Sequence, residues 1–271
     1  MSQTILITGA SSGIGKATAR LFAAQGWNVA ATMRHPDREN ELTDIAGVRL
    51  YALDVTQPAG IRTTIDQVLR DFSGVDVLLN NAGYGLFGPL ETVSAEKLMD
   101  QFQTNLFGAI RMIQGVLPAM REQKRGTIIN VTSIGGLVGL PFNSIYHATK
   151  FGLDGLSESL NYELRPFGIR VKIVAPGGVA TDFATRSLQQ TTDGPSVYDA
   201  DIQQVMAAFQ QSGGAYSSAD QIAEVIYRAA TDDTDQLRYL AGADAQGLYA
   251  KWKEMTNEAF MAMIQERYGL A

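Results

Sequence analysis

Short runs of β-branched and apolar residues alternate along this chain with longer segments of helical period, and that alternation leaves few architectures open. TILIT at 4–8 precedes a helical stretch at 14–25, NVAAT at 28–32 a short one at 38–45, and VRLYALD at 48–54 another at 61–72. The rhythm continues with VDVLLN at 75–80, a helix over 95–120, TIINVTS at 127–133, a helix over 143–164 and IRVKIVA at 169–175. Strand, helix and strand at this spacing close as right-handed crossovers, which makes the sheet parallel and covers both its faces with helices. The inner strands agree: TIINV and VDVLLN are apolar throughout, as strands buried on both faces must be, whereas a strand with one wet face would alternate. No Pro-rich, Ser-rich or repetitive tract divides the 271 residues, so one α/β domain over 1–271 is expected.

Past Thr181 the pattern weakens. Residues 182–218 are polar and broken by Gly194, Pro195, Gly213 and Gly214, which reads as a long excursion with one helix at 202–209. Regularity returns with a helix at 220–230, a strand at 236–241 and a C-terminal helix at 246–267. That last helix mixes Lys251, Lys253 and Arg267 with Glu254, Glu258 and Glu266, which favours a face packed on protein over one lying on a membrane.

Composition removes several classes of function. The formal net charge of -6 gives no electrostatic footprint for nucleic acid. With no Cys, and with only His35 and His147 to offer imidazole, thiolate chemistry is excluded and no metal site is expected. The N-terminal apolar run is too short for a signal peptide and no segment reaches the ~18 apolar residues of a membrane span, so no membrane partner and a cytoplasmic location are expected.

Chemistry begins directly after the first strand, where Thr8 is followed by GASSGIG and then a helix. Gly9, Gly13 and Gly15 remove Cβ atoms where the chain must turn sharply and where a diphosphate would approach N–H groups at a helix N-terminus. The spacing G-x3-G-x-G departs from the usual dinucleotide fingerprint, and a plain tight turn is the alternative; the position after the first strand favours the dinucleotide. The second strand ends Thr32-Met33-Arg34, with an apolar residue where a ribose-binding carboxylate would sit and a guanidinium next to it. This suits a 2′-phosphate, so NADP(H) is expected in preference to NAD(H), although Arg34 also reads as a solvated loop charge. Asp54, before Val55 at the end of the third strand, is placed either to accept from an adenine amino group or simply to begin a turn.

With these residues in view the chain resembles the classical short-chain dehydrogenase/reductase family up to Thr181, through TGASSGIG (8–15), Asp54, NNAG (80–83), Asn105, Ser133, YHATK (146–150) and PGGVAT (176–181) in family order. VAATMR and NAGYGLFGPLE look most like the branch of 17β-hydroxysteroid and retinol dehydrogenases. The resemblance implies a Rossmann-type, doubly wound sheet of seven strands in order 3-2-1-4-5-6-7, nicotinamide-dependent oxidoreduction of a small-molecule carbonyl or alcohol, and a homodimer or homotetramer built on the helices at 95–120 and 143–165. It also implies that Ser11, Ser12 and Ile14 join the glycines against the cofactor, that Asn81, Ala82 and Gly83 lie along its adenosine side, and that Pro176, Gly177, Val179 and Thr181 meet its carboxamide and phosphate. Residues 182–218 become a substrate lid, with Phe183, Tyr198, Met206 and Phe209 either touching substrate or anchoring the lid.

Within the family pattern Tyr146 is the acid or base for the alcohol oxygen. A free phenol titrates near 10, so ionisation at neutral pH requires roughly 4 kcal/mol of preference for phenolate. Lys150, one helical turn later, is expected to supply it through its charge, and by resemblance to bind the nicotinamide ribose as well. Ser133 is implied to hold the substrate oxygen; Thr132 is its rival, and because neighbouring strand residues point to opposite faces, only one of the two can face the site. Asn105 is implied to anchor a proton-relaying water. His147 adjoins Tyr146 but points elsewhere on a helix, and is read as packing or surface. Two rivals stay open: a dinucleotide-binding regulator without turnover, and an epimerase or dehydratase of related type.

Overall fold

The computed structural model describes residues 2–180, 188–191, 197–212 and 216–270. Among these, the principal sheet consists of β1 (Thr4–Thr8), β2 (Asn28–Met33), β3 (Val48–Ala52), β4 (Val77–Asn80), β5 (Gly126–Val131), β6 (Ile169–Pro176) and β7 (Arg238–Ala241), in the order β3-β2-β1-β4-β5-β6-β7. Every pairing is parallel. Burial follows position: β1 and β4 are buried at every residue, while the edge strands β3 and β7 are buried only in part. The apolar runs that predicted interior strands therefore occupy the interior.

The helices are α1 (Gly13–Ala24), α2 (Pro58–Phe72), α3 (Ala95–Phe102), α4 (Gly108–Gln123), α5 (Ser144–Leu164), α6 (Asp199–Ser212), α7 (Ala219–Thr231), α8 (Ala243–Glu254) and α9 (Asn257–Tyr268). One face of the sheet packs Ile5, Ile7 and Val29 against Phe22 and Trp27 after α1 and Ile222 and Ile226 of α7. The other packs Leu6, Leu78 and Ile128 against Ile61 and Ile65 of α2 and Met112, Ile113 and Val116 of α4. A third cluster, including Phe87, Ile134, Val138, Val205, Phe260, Ile264 and Tyr268, joins α6 and α9 to the loops that follow β4 and β5.

Three elements differ from expectation. The helix expected over 95–120 is interrupted by a π-helical turn, Gln103–Phe107. The helix expected over 38–45 is only a 3₁₀ turn, Pro36–Arg38, because Glu39 accepts the backbone N–H groups of Glu41 (2.8 Å) and Leu42 (3.1 Å), a side-chain alternative to helix bonds. The C-terminal helix expected over 246–267 is two helices, since Met255 is extended and Thr256 caps α9 by accepting from the Ala259 N–H at 3.3 Å. Two short parallel pairs, Gly85–Phe87 with Leu188–Gln190 and Val179–Ala180 with Ser217–Ser218, were not foreseen.

Candidate active site

The turn after β1 needs its glycines for two different reasons. Gly9 and Gly13 have φ of 71° and 51°, the left-handed region that L side chains avoid. Gly15 is ruled by contact: a Cβ there would lie 2.3 Å from the Gly9 carbonyl oxygen and 2.7 Å from Asn81 Nδ2. Ser12, the N-cap of α1, makes no capping hydrogen bond through its side chain, and no acidic residue occupies the first turn. The opening N–H groups of α1 are thus not spent on a side-chain acceptor, and Ser11 and Ile14 flank them, exposed and half-buried. We expect Gly15→Ala to lower stability by about 1–3 kcal/mol, the usual cost of overpacking, in urea unfolding.

The loop after β4 is tied to this turn. Asn81 Nδ2 donates to the carbonyls of Thr8 and Gly9, both at 3.0 Å, and the Thr8 hydroxyl accepts from the N–H groups of Asn81 (3.0 Å) and Ala82 (3.1 Å). Two strand ends that flank the topological switch point are locked together. At the far side of β2, Met33 is buried, whereas Arg34 is exposed and makes no hydrogen bond or ion pair among the described residues. Asp54 behaves as a turn former, its Oδ1 accepting from the Thr56 N–H (2.9 Å) and hydroxyl (2.7 Å), and Val55 is buried against the place a Gly108 Cβ would occupy.

The π turn holds Asn105 fully buried. Its Oδ1 accepts from the Tyr84 N–H at 3.0 Å, and its Nδ2 donates to the Tyr84 carbonyl at 2.8 Å and the Thr149 hydroxyl at 3.3 Å. Both amide donors are spent on protein, so a relay water would have to be held through an oxygen atom. Gly83 sits where a Cβ would lie 3.1 Å from Asn105 Oδ1 and 3.7 Å from Lys150 Nζ. Lys150 is buried, donates to the Val131 carbonyl at 2.9 Å, and holds Nζ 5.8 Å from the centre of the Tyr146 ring. Ser133 follows β5 and is half-buried; Thr132 points into the interior, its hydroxyl without a hydrogen-bond partner among the described residues. Asn105, Ser133, Tyr146 and Lys150 therefore share the carboxyl edge of the sheet, beside the glycine turn.

The last segment follows β6. Gly177 donates to the Ala241 carbonyl at 3.0 Å, and the Gly178 N–H donates to Asp244 Oδ2 at 2.6 Å. A Cβ on Gly177 would lie 2.2 Å from that carboxylate. Pro176 ends β6, Val179 is half-buried in the short pair, and Thr181 and Phe183 lie outside the described residues. Asp244, which braces this loop, gave no signal in the sequence because it is separated from the loop by α6, α7 and β7. Of the residues expected in a lid, Tyr198 packs edge-on to Phe142 and Phe209 to Phe87, while Met206 packs on the same cluster.

A family model for short chain dehydrogenases matches residues 3–192. The chain belongs to the short-chain dehydrogenase family. A 3-ketodihydrosphingosine reductase from Bacteroides thetaiotaomicron is 43% identical over 191 residues, 70% of this chain and 69% of the relative. Retinol dehydrogenase 8 of Bos taurus is 41% identical over 197 residues, 70% of this chain and 63% of the relative. Among solved structures, a short-chain dehydrogenase from Streptomyces avermitilis superposes with a TM-score of 0.84 at 30% identity, covering 99% of this chain and 97% of its own. ElxO, solved with NADP bound, gives 0.75 at 26% identity over 89% of this chain and 98% of its own.

Burial is the leading influence on both ionisable groups of this site. Burial pushes the Tyr146 phenol above its ordinary value, and the nearby Ser133 hydroxyl pulls the other way without cancelling it. Lys150 Nζ lies 5.8 Å from the centre of the Tyr146 ring. Its ammonium is committed to the Val131 carbonyl, and burial itself depresses Lys150 to about 8. At neutral pH these shifts leave a protonated phenol beside an amine that burial makes costly to keep charged. Among the described residues there is no cluster of metal-ligating side chains, and no helix is long and apolar enough to cross a membrane.

Proposed function

We propose that this dehydrogenase interconverts a carbonyl and a secondary alcohol on an apolar small molecule, using NADP(H) in preference to NAD(H). The observation that carries the proposal is the meeting of Ser133, Tyr146 and Lys150 at the carboxyl edge of the sheet, next to a glycine cradle that a Cβ would fill. The NADP bound by the structural neighbour ElxO supports the same nucleotide here. Gly9, Ser11, Ser12, Gly13, Ile14 and Gly15 would hold the diphosphate; Asp54, Val55, Asn81, Ala82 and Gly83 would line the adenosine half; Pro176, Gly177, Val179 and Thr181 would meet the carboxamide end. When bound, the nicotinamide supplies or accepts the hydride.

The chain's own residues handle the oxygen. Ser133 orients it by hydrogen bonding, and Tyr146 donates a proton to it in reduction or removes one in oxidation. Lys150 offsets the negative charge that the phenol acquires when it gives up its proton, and Asn105 stands behind Lys150 as the entry of a proton path from solvent. Residues 1–271 would act as a single domain; the expected substrate lid at 182–218 lies partly outside the described residues. Exposed Met99 on α3 and Phe151 and Tyr162 on α5 support self-association through those helices. The turnover test is consumption of NADPH with a panel of ketones, aldehydes, steroids and sugars; binding without turnover on any of them rejects the proposal.

Nucleotide choice has its own test. Arg34 is exposed and without a partner among the described residues while Met33 is buried beside it, so the strand end offers a guanidinium, and not a carboxylate, to a 2′-phosphate. Met33→Asp with Arg34→Gln is expected to lower the NADPH-to-NADH ratio of kcat/KM by about 10- to 100-fold, the worth of a charge-assisted contact. An unchanged ratio places the discrimination elsewhere.

A further inference from the structure

His147 is a buried ionisable group that the proposed chemistry does not use, and it is not inert packing. Its Nδ1 lies 2.6 Å from the Gly135 carbonyl oxygen, and its Nε2 accepts the Leu140 N–H at 3.0 Å. A backbone N–H can only donate, so Nε2 must carry a lone pair and the ring proton must sit on Nδ1, where it donates to Gly135. Both contacts need the neutral ring. Burial, which lowers the affinity of His147 for a second proton, keeps it so. The ring thus spans the segment from Gly135 to Leu140, which contains no titratable side chain, and it partners the Gly135 carbonyl and the Leu140 N–H.

Gly135 connects this brace to the site. Its N–H donates to Ser133 Oγ at 3.0 Å while its carbonyl is held by His147, and the peptide is fitted so closely that a Cβ on Gly135 would lie 2.6 Å from the imidazole. With one lone pair of Ser133 Oγ engaged from the loop side, its hydroxyl proton is left to donate away from Gly135. Tyr146 itself is edge-on to His147, with ring centres 5.8 Å apart. We infer that His147 is a positioning residue: through Gly135 it fixes the direction in which the Ser133 hydroxyl donates. The inference rests on the role proposed for Ser133.

The test is a double-mutant cycle on NADPH-dependent reduction of benzil, an apolar aromatic diketone. His147→Phe is expected to lower kcat by about 10- to 100-fold, the cost of misplacing a catalytic group, with the KM for NADPH unchanged. His147→Gln, whose amide keeps one donor and one acceptor, is expected to recover most of that loss. In a Ser133→Ala background His147→Phe is expected to change kcat by less than about threefold, because the group it positions is gone. A full, additive loss in that background overturns the inference and leaves the Ser133 proposal standing. If Ser133→Ala alone leaves kcat unchanged, both fail. Should the Phe variant not fold, His147→Asn, polar but too short to span both contacts, replaces it in the cycle. Nitrogen NMR of the imidazole, which needs no substrate, is expected to place the proton on Nδ1; a ring protonated on Nε2 overturns the inference directly.

Discussion

Tyr146→Phe is expected to lower kcat for benzil reduction by about 100- to 10,000-fold, the contribution of a positioned proton donor, with NADPH affinity changed less than about twofold. The variant keeps the aromatic ring and its edge-on contact with His147, so the fold around α5 loses only one hydroxyl. The sign of the Tyr146 shift matters to direction. Because burial holds the phenol above its ordinary value, it is protonated at neutral pH and ready to donate, which is the state carbonyl reduction requires. Alcohol oxidation requires the phenolate, and there the positive charges of Lys150 and of the oxidised nicotinamide must offset the cost of burial. Steady-state rates with a fluorescence titration of NADPH separate the two terms. Wild-type turnover in the Phe variant would assign the acid to another group and remove the mechanism.

The sheet was legible because its signal is local. TIINV and VDVLLN carry no polar alternation, and only a strand covered on both faces can accept such a run. The glycine turn was legible for the same reason: the conformations of Gly9 and Gly13 and the tight contact at Gly15 are properties of a few consecutive residues. The interruption between α3 and α4 was hidden. A π turn adds one residue without breaking the apolar period, so the stretch still reads as one helix, yet that insertion is what places Asn105 against Tyr84. Spacing also put Lys150 one turn from Tyr146 correctly, but could not say that its ammonium bonds the carbonyl of Val131, at the end of a distant strand. The contacts of His147 were out of reach for a related reason: its partners, Gly135 and Leu140, lie in a glycine-rich loop whose path is set by tertiary structure. A signal was nonetheless present, since such a loop leaves backbone groups in need of partners beside a buried helix face.

Lys150→Met should separate activity from stability. Burial lowers Lys150 from 10.5 to about 8, which corresponds to about 3 kcal/mol by which the folded protein disfavours the charge. In the unfolded chain the amine keeps its proton up to its ordinary value; in the folded protein it releases it near 8. Between those two points the unfolded state binds more protons, so this group makes wild-type stability rise as pH increases from 8 toward 10, and below 8 the penalty is present in full. Met removes the penalty but leaves the Val131 carbonyl without its donor, a loss of about 1–3 kcal/mol. The two terms nearly offset. At pH 7 the variant is therefore expected to be as stable as wild type or up to about 2 kcal/mol more stable in urea unfolding, with the rise above pH 8 abolished. Its kcat, by contrast, is expected to fall by at least about 100-fold, because no charge is left to balance the Tyr146 phenolate. A variant that is strongly destabilised at pH 7 and keeps the alkaline rise would show that Lys150 serves the fold. The expected pattern would show instead that the protein tolerates a buried ammonium, at a cost to its own stability, for the sake of the proton on Tyr146.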